Sequence, residues 1–126
     1  MKKDILKIKI NGVFDNLELI PNDKFSIYFS EIDFNIEPKI FMDKFSDSYS
    51  KDTIMIIGMN SASPFLLLAI TKGLSEQLNA GQIIKDLASS LDLGGGGPKH
   101  FGTIGFKNKD LYKKAYSSLI KLAERF

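Results

Sequence analysis

Gly94-Gly95-Gly96-Gly97-Pro98-Lys99-His100-Phe101-Gly102-Thr103-Ile104-Gly105 lies between two helical patterns, and the arrangement of the whole chain turns on how it is read. Glycine loses more conformational entropy on folding than any other residue. Four in a row inside a folded chain therefore imply a backbone shape or an approach distance that a Cβ would forbid. Two readings stand side by side. The successive backbone N–H groups can converge on an anion, as in phosphate-cradling loops. Alternatively, the glycines pass close under a neighbouring strand, or make a left-handed turn after the preceding helix. The spacing is not that of a P-loop, because no Gly-Lys-Ser/Thr follows and the glycines trail a helix; a dinucleotide fingerprint is excluded on the same ground. Lys99, His100 and Phe101 add a phosphate contact, a polar or stacking ring and an apolar stacking face, chemistry suited to nucleic acid, although Phe101 equally suits the core and His100 a surface hydrogen bond.

Outward from this run, Ala80-Gly81 leads into Ile83, Ile84, Leu87, Ala88 and Leu91, an amphipathic helix of roughly three turns. Asp86 and Asp92 read as solubilising charges at its end. Downstream, residues 110–126 repeat the helical pattern, burying Leu111, Tyr112, Ala115, Leu119, Leu122, Ala123 and Phe126 and exposing Lys109, Lys113, Lys114, Lys121 and Arg125. Upstream, Thr53–Gly58 and Phe65–Ile70 are apolar runs joined by Asn60-Ser61-Ala62-Ser63-Pro64, two buried strands of a sheet covered on both faces. A helix spans the residues from Ile36 to Tyr49, with Asn35 as its N-cap and Pro38 in its first turn. Phe25–Phe29 reads as a strand. Ile5–Ile10 alternates at period two and ends in an Asn11-Gly12 turn, with Leu17–Ile20 as a hairpin partner. The expected fold is α/β: a mixed sheet of about four to five strands flanked by three principal helices. Residues 1–126 form one domain, with 1–24 a strand or hairpin segment and 25–126 the core. Leu74–Leu78 adds a short helical turn.

Length and composition agree with one domain: 126 residues, 44% hydrophobic and 25% charged. The most apolar stretch, Pro64–Ile70, soon reaches Lys72, far short of the roughly 20 apolar residues that a membrane span needs. The opening Met1-Lys2-Lys3-Asp4 carries no signal-peptide apolar region, and with no cysteines the expected setting is reducing and cytoplasmic. One histidine with no acidic cluster beside it cannot make a histidine-based zinc site, so no catalytic residue and no metal ligand is assigned. The net charge of +2 conceals an asymmetry: residues 1–97 carry ten basic against thirteen acidic side chains, and residues 98–126 carry seven against two. The positive field begins after the glycines, which fits an anionic partner or, equally, a solvated basic helix face with none.

Read together, Asn79 to Ala88, the glycines 94–97, and Phe101-Gly102-Thr103-Ile104-Gly105-Phe106-Lys107-Asn108 resemble the C-terminal (C-Ala) domain of bacterial alanyl-tRNA synthetase, within the wider DHH-associated family. The resemblance covers about residues 25–125. Two departures stand out: Gly102 replaces the usual alanine, a small change, and Phe106 replaces the second glycine of a closing pair, which puts close backbone approach there in doubt. The family implies a tRNA-binding domain that recognises the tRNA elbow by shape and phosphate contacts, supporting aminoacylation and editing by a parent ATP-dependent alanine-tRNA ligase that also uses zinc. The implied partner is tRNA, tRNA-Ala in particular, with no cofactor in this domain. Gly94, Gly95, Gly96, Gly97, Lys99, His100, Phe101, Lys107, Lys109 and Lys113 are the residues assigned to that contact. Two other readings remain. One is the substrate-binding half of a DHH phosphodiesterase, whose histidine commonly follows the glycines at once, whereas Pro98 and Lys99 intervene here. The other is a dimerisation or protein-interaction domain using exposed apolar residues on the first strand, Phe14 or Phe126.

Overall fold

The runs around residues 53–59 and 65–70 offer no polar stripe to either side, so they are stable only where both faces of a sheet are covered. The computed structural model describes residues 12–14, 17–20, 24–49 and 52–125. Its strands are β1 (Glu18–Ile20), β2 (Ser26–Ile32), β3 (Thr53–Met59), β4 (Phe65–Ile70), β5 (Gly95–Gly96) and β6 (Phe101–Gly105), in the sheet order β1-β2-β3-β4-β6-β5. Only β2 and β3 pair in parallel, joined by the crossover helix α1 (Pro38–Ser48); the remaining neighbours are antiparallel. A 3-10 turn (Lys72–Glu76) then leads to α2 (Ala80–Ser90), and α3 (Lys109–Ala123) follows β6.

Alternation along the central strands divides the core in two. Ile54, Ile56, Leu66, Leu68, Ile70 and Ile104 face α2 and α3, where they meet Ile84, Ala88, Tyr112, Ala115 and Leu119. Met55, Ile57, Leu67 and Ala69 face the other way, against Phe41, Met42 and Phe45 of α1. Each such side chain contributes about 1.5–3 kcal/mol on burial, so two covered faces hold the sheet against its conformational entropy.

Several sequence expectations change in detail. Among the described residues the sheet has six strands where four to five were expected, because Gly95–Gly96 and Phe101–Gly105, to which the sequence assigns no strand, pair as β5 and β6. The N-cap of α1 is Glu37, without a side-chain cap, and Pro38 holds the first turn. Asn35 instead donates to Ser63 O at 3.2 Å and accepts from the Ser61 hydroxyl, tying the β3–β4 loop to the entrance of α1. Residues 12–14 are helical, where a hairpin turn was expected. The strand read at Ile5–Ile10 lies outside the described residues; β1 itself pairs with β2, Leu19 opposite Tyr28. Phe14 is not free for self-association, since it stacks on Phe41 at 5.4 Å and on Tyr49 at 6.0 Å. Phe126 lies outside the described residues.

Candidate nucleic-acid interface

Helix α2 ends in a left-handed turn, and a non-glycine residue makes it: Asp92 takes φ 58°, while Leu93 N donates to Ala88 O at 2.8 Å and Asp92 N to Ser89 O at 3.2 Å. This is a Schellman-type termination, in which the orphan carbonyls of the last turn are satisfied. Asp92 therefore has a structural task beyond solubility, and the glycines are released from making the turn. They run instead as an edge strand, with Gly95 opposite Ile104 and Gly96 opposite Thr103.

Close approach explains the glycine content. A Cβ on Gly81, in the first turn of α2, would overlap Gly97 O and lie 2.5 Å from Pro98 O. Gly97 is confined on another side: it adopts φ +158°, and a Cβ there would stand 2.5 Å from Phe101 O. Gly102 is equally confined, since its Cβ would meet Ile84 Cβ at 2.7 Å and Ala80 O at 2.9 Å. The exchange of alanine for glycine at 102 is thus required by how closely α2 lies on β6. Phe106 replaces a glycine with an anchor: its N–H donates to Pro64 O at 2.9 Å and its ring packs edge-on to Tyr112 at 5.7 Å.

These approaches also decide what the start of α2 offers. Its first N–H groups, the usual anion-binding donors of a helix, are occupied by the chain itself. Ala80 N donates to Lys99 O at 2.8 Å, Gly81 N to Pro98 O at 3.0 Å, and Gln82 N to the Asn79 side chain at 3.0 Å. On the other side, Ile70 N donates to His100 O at 2.9 Å. Three consecutive carbonyls, those of 98, 99 and 100, are therefore pinned inward. The result is a corner of fixed backbone that presents an exposed Lys99 beside a half-buried His100 and Phe101, whose rings meet edge-on at 5.1 Å. Phe101 packs its other side into the α1-facing core. Asn79→Ala removes the side-chain cap and should lower stability by about 1 kcal/mol in a denaturant titration.

The ten assigned residues fall into three groups. Lys99, His100 and Phe101 sit at the start of β6; Lys107, Lys109 and Lys113, all exposed, sit beyond its end. The glycines flank the strand between them, Gly94 and Gly95 exposed and Gly96 half-buried. Four strand steps of about 3.4 Å make β6 roughly 14 Å long, so the basic groups beyond its two ends do not form one cluster. Sequence reasoning missed Lys72, which lies at the Lys99 end because Ile70, two residues before it, is bonded to His100. The start of α3 is fixed by Asn108, whose side chain accepts from Asp110 N at 2.7 Å, and by Tyr112, whose hydroxyl donates to Glu31 Oε2 at 2.8 Å. Gly58 leaves the room in which Tyr112 and Tyr116 cross β3.

Burial raises the hydroxyl pKa of both tyrosines above its ordinary value, reinforced at Tyr112 by the Glu31 hydrogen bond and at Tyr116 by the charges of Glu31 and Glu18. An acid whose folded pKa lies above its unfolded value keeps the fold's stability below about pH 10 and loses it as pH rises further. Ionisation of Tyr112 and Tyr116 should therefore accompany unfolding above pH 10, and Tyr112→Phe should reduce that alkaline sensitivity. Among the described residues, no group of three or more His, Cys, Asp or Glu could hold a metal, and no helix is long and apolar enough to cross a membrane.

No family profile matches the sequence, and no curated protein matches it. Solved structures do. The C-Ala domain of Aquifex aeolicus alanyl-tRNA synthetase superposes with a TM-score of 0.62 at 19% identity, covering 85% of this chain and 98% of that one. A DHH-domain protein described as a member of the s1p family of ribosomal proteins gives 0.56 at 19% identity, covering 94% of this chain and 30% of its own. The pGpG-specific phosphodiesterase PggH of Vibrio cholerae gives 0.52 at 14% identity, covering 96% and 41%. The fold is accordingly that of C-Ala and DHH-associated domains, as the motifs around residues 79–108 implied.

Proposed function

We propose that this chain is an RNA-binding domain that engages the outer corner of a folded tRNA, in the manner implied for the C-terminal domain of an alanyl-tRNA synthetase. One observation carries the reading: the backbone at 98–100 is pinned on both sides, and it displays Lys99, His100 and Phe101 at one end of a glycine-flanked strand that has Lys107, Lys109 and Lys113 at its other end. Cations at the two ends of a strand about 14 Å long suit two separate phosphates. Recognition of this kind reads shape and backbone, with the aromatic pair offered to an exposed base face. tRNA-Ala is the natural ligand and the parent enzyme supplies the catalysis, with its ATP and zinc sites outside this domain. A cytoplasmic location follows from that role. Titrating tRNA at several salt concentrations tests this: three to four neutralised phosphates predict a log–log slope of roughly −2 to −4, and a slope near zero would remove the electrostatic basis.

The fold likeness to a pGpG-specific phosphodiesterase supports a second reading, a short-oligonucleotide site at the same corner. The two residues between the glycines and His100 tell against it. If pGpG competes as well as intact tRNA, this second reading is preferred.

A further inference from the structure

A cavity of about 290 Å³ opens between the end of α1 and the turn after β4, lined by Phe45, Ser46, Tyr49, Thr71, Lys72 and Gly73. None of these residues was assigned a role from the sequence. The cavity lies at the same end of the sheet as the Lys99 corner, because Thr71 directly follows Ile70, whose N–H is bonded to His100 O. Its inner wall is aromatic: Phe45 and Tyr49 meet at 5.6 Å, and Tyr49 is further supported by Phe14 and Tyr28. Thr71 is fixed in place by accepting from Thr53 N at 3.3 Å, and Lys72 stands exposed at the rim.

We infer that this cavity receives a single unstacked nucleotide, its base against Tyr49 and its phosphate on Lys72. The inference rests on the RNA-binding reading, since it places a second contact beside the corner that reading uses. An aromatic wall with hydroxyls at its margin and one cation at the mouth matches the three parts of a nucleotide: ring face, base edge and phosphate. The class is a nucleoside monophosphate unit, within an RNA strand or free.

Gly73 provides a test, because it lines the cavity and a Cβ built there meets nothing within 4 Å, so a substitution starts in open space. Two titrations are run on the full chain and on Gly73→Trp. With adenosine 5′-monophosphate as probe, amide shifts should concentrate at Ser46, Tyr49, Thr71 and Gly73 in the unmodified chain and vanish in Gly73→Trp. Absence of those shifts overturns the inference, whatever happens with RNA. With tRNA as probe, Gly73→Trp should bind roughly tenfold more weakly, the loss expected of one stacked base. Unchanged tRNA affinity in Gly73→Trp, with salt-dependent binding intact, overturns the cavity's role in tRNA binding while leaving the corner reading standing. Failure of the unmodified chain to bind tRNA removes the corner reading instead, and the monophosphate titration still decides whether the cavity binds a nucleotide. Lys72→Ala should weaken both probes while leaving the thermal midpoint unchanged.

Discussion

Gly81→Val is expected to lower the thermal midpoint by about 10 °C or more, the largest stability loss of any single change at the glycine-rich corner. The added side chain meets backbone oxygens, Gly97 O and Pro98 O, which cannot move aside as a flexible side chain would. Pro98 O also accepts from Gly81 N, and Lys99 O beside it accepts from Ala80 N, so pushing the segments apart breaks hydrogen bonds as well as packing. Overpacking of this kind costs about 1–3 kcal/mol, and each lost hydrogen bond adds about 1 kcal/mol. For a chain of this size, 1 kcal/mol corresponds to roughly 3–5 °C. Gly94→Ala is the matched control, because nothing lies within 4 Å of a Cβ there, and its midpoint should move by less than about 2 °C. A scan by circular dichroism or calorimetry distinguishes the two. Equal small shifts would mean that the glycine run is not held by close approach.

The triple change Lys99→Ala, Lys107→Ala and Lys109→Ala is expected to weaken tRNA binding at least tenfold at low salt and to flatten the salt slope by roughly two to three units. All three side chains are exposed and none supports the core, so folding should be unaffected. Because the positions span both ends of β6, the single changes separate the two basic groups. If Lys99→Ala weakens binding while the pair at 107 and 109 does not, RNA sits on the pinned corner alone. A filter-binding or fluorescence titration over several salt concentrations, with circular dichroism to confirm folding, reads both quantities.

Much of this architecture could be read from the sequence because its core strands and helices announce themselves by periodicity. Two apolar runs at 53–58 and 65–70 had to be central strands, and the 3.6-residue patterns after Ala80 and Asp110 had to be helices packed on them. Beta strands made of glycine carry no such pattern. Gly95–Gly96 has no side chains to alternate, and Phe101–Gly105 alternates glycine with larger residues, so neither announces itself as a strand. The same limit applied to the site. The glycine run 94–97 signals close approach, but only the fold shows that Gly97 meets Gly81 of α2 and Gly102 of β6. Asp92 looked like a surface charge because φ cannot be read from a residue name. Lys72 and the cavity behind it were invisible for a different reason: Phe45, Thr71 and Lys72 come together through the sheet, from segments far apart in the chain. Lys99 and Lys107, close in sequence, were pooled into one patch, and the strand between them holds them apart.

The central claim is that a pinned, basic, glycine-flanked corner recognises the folded outer corner of tRNA by shape. It is tested most directly by titrating the chain with an intact tRNA and with the same tRNA carrying substitutions that break the tertiary pairing at its elbow, at one fixed salt concentration. The two ligands carry equal phosphate charge, so any difference reports shape. Binding at least several-fold tighter to the intact tRNA is the predicted result; equal affinity for both would contradict the account.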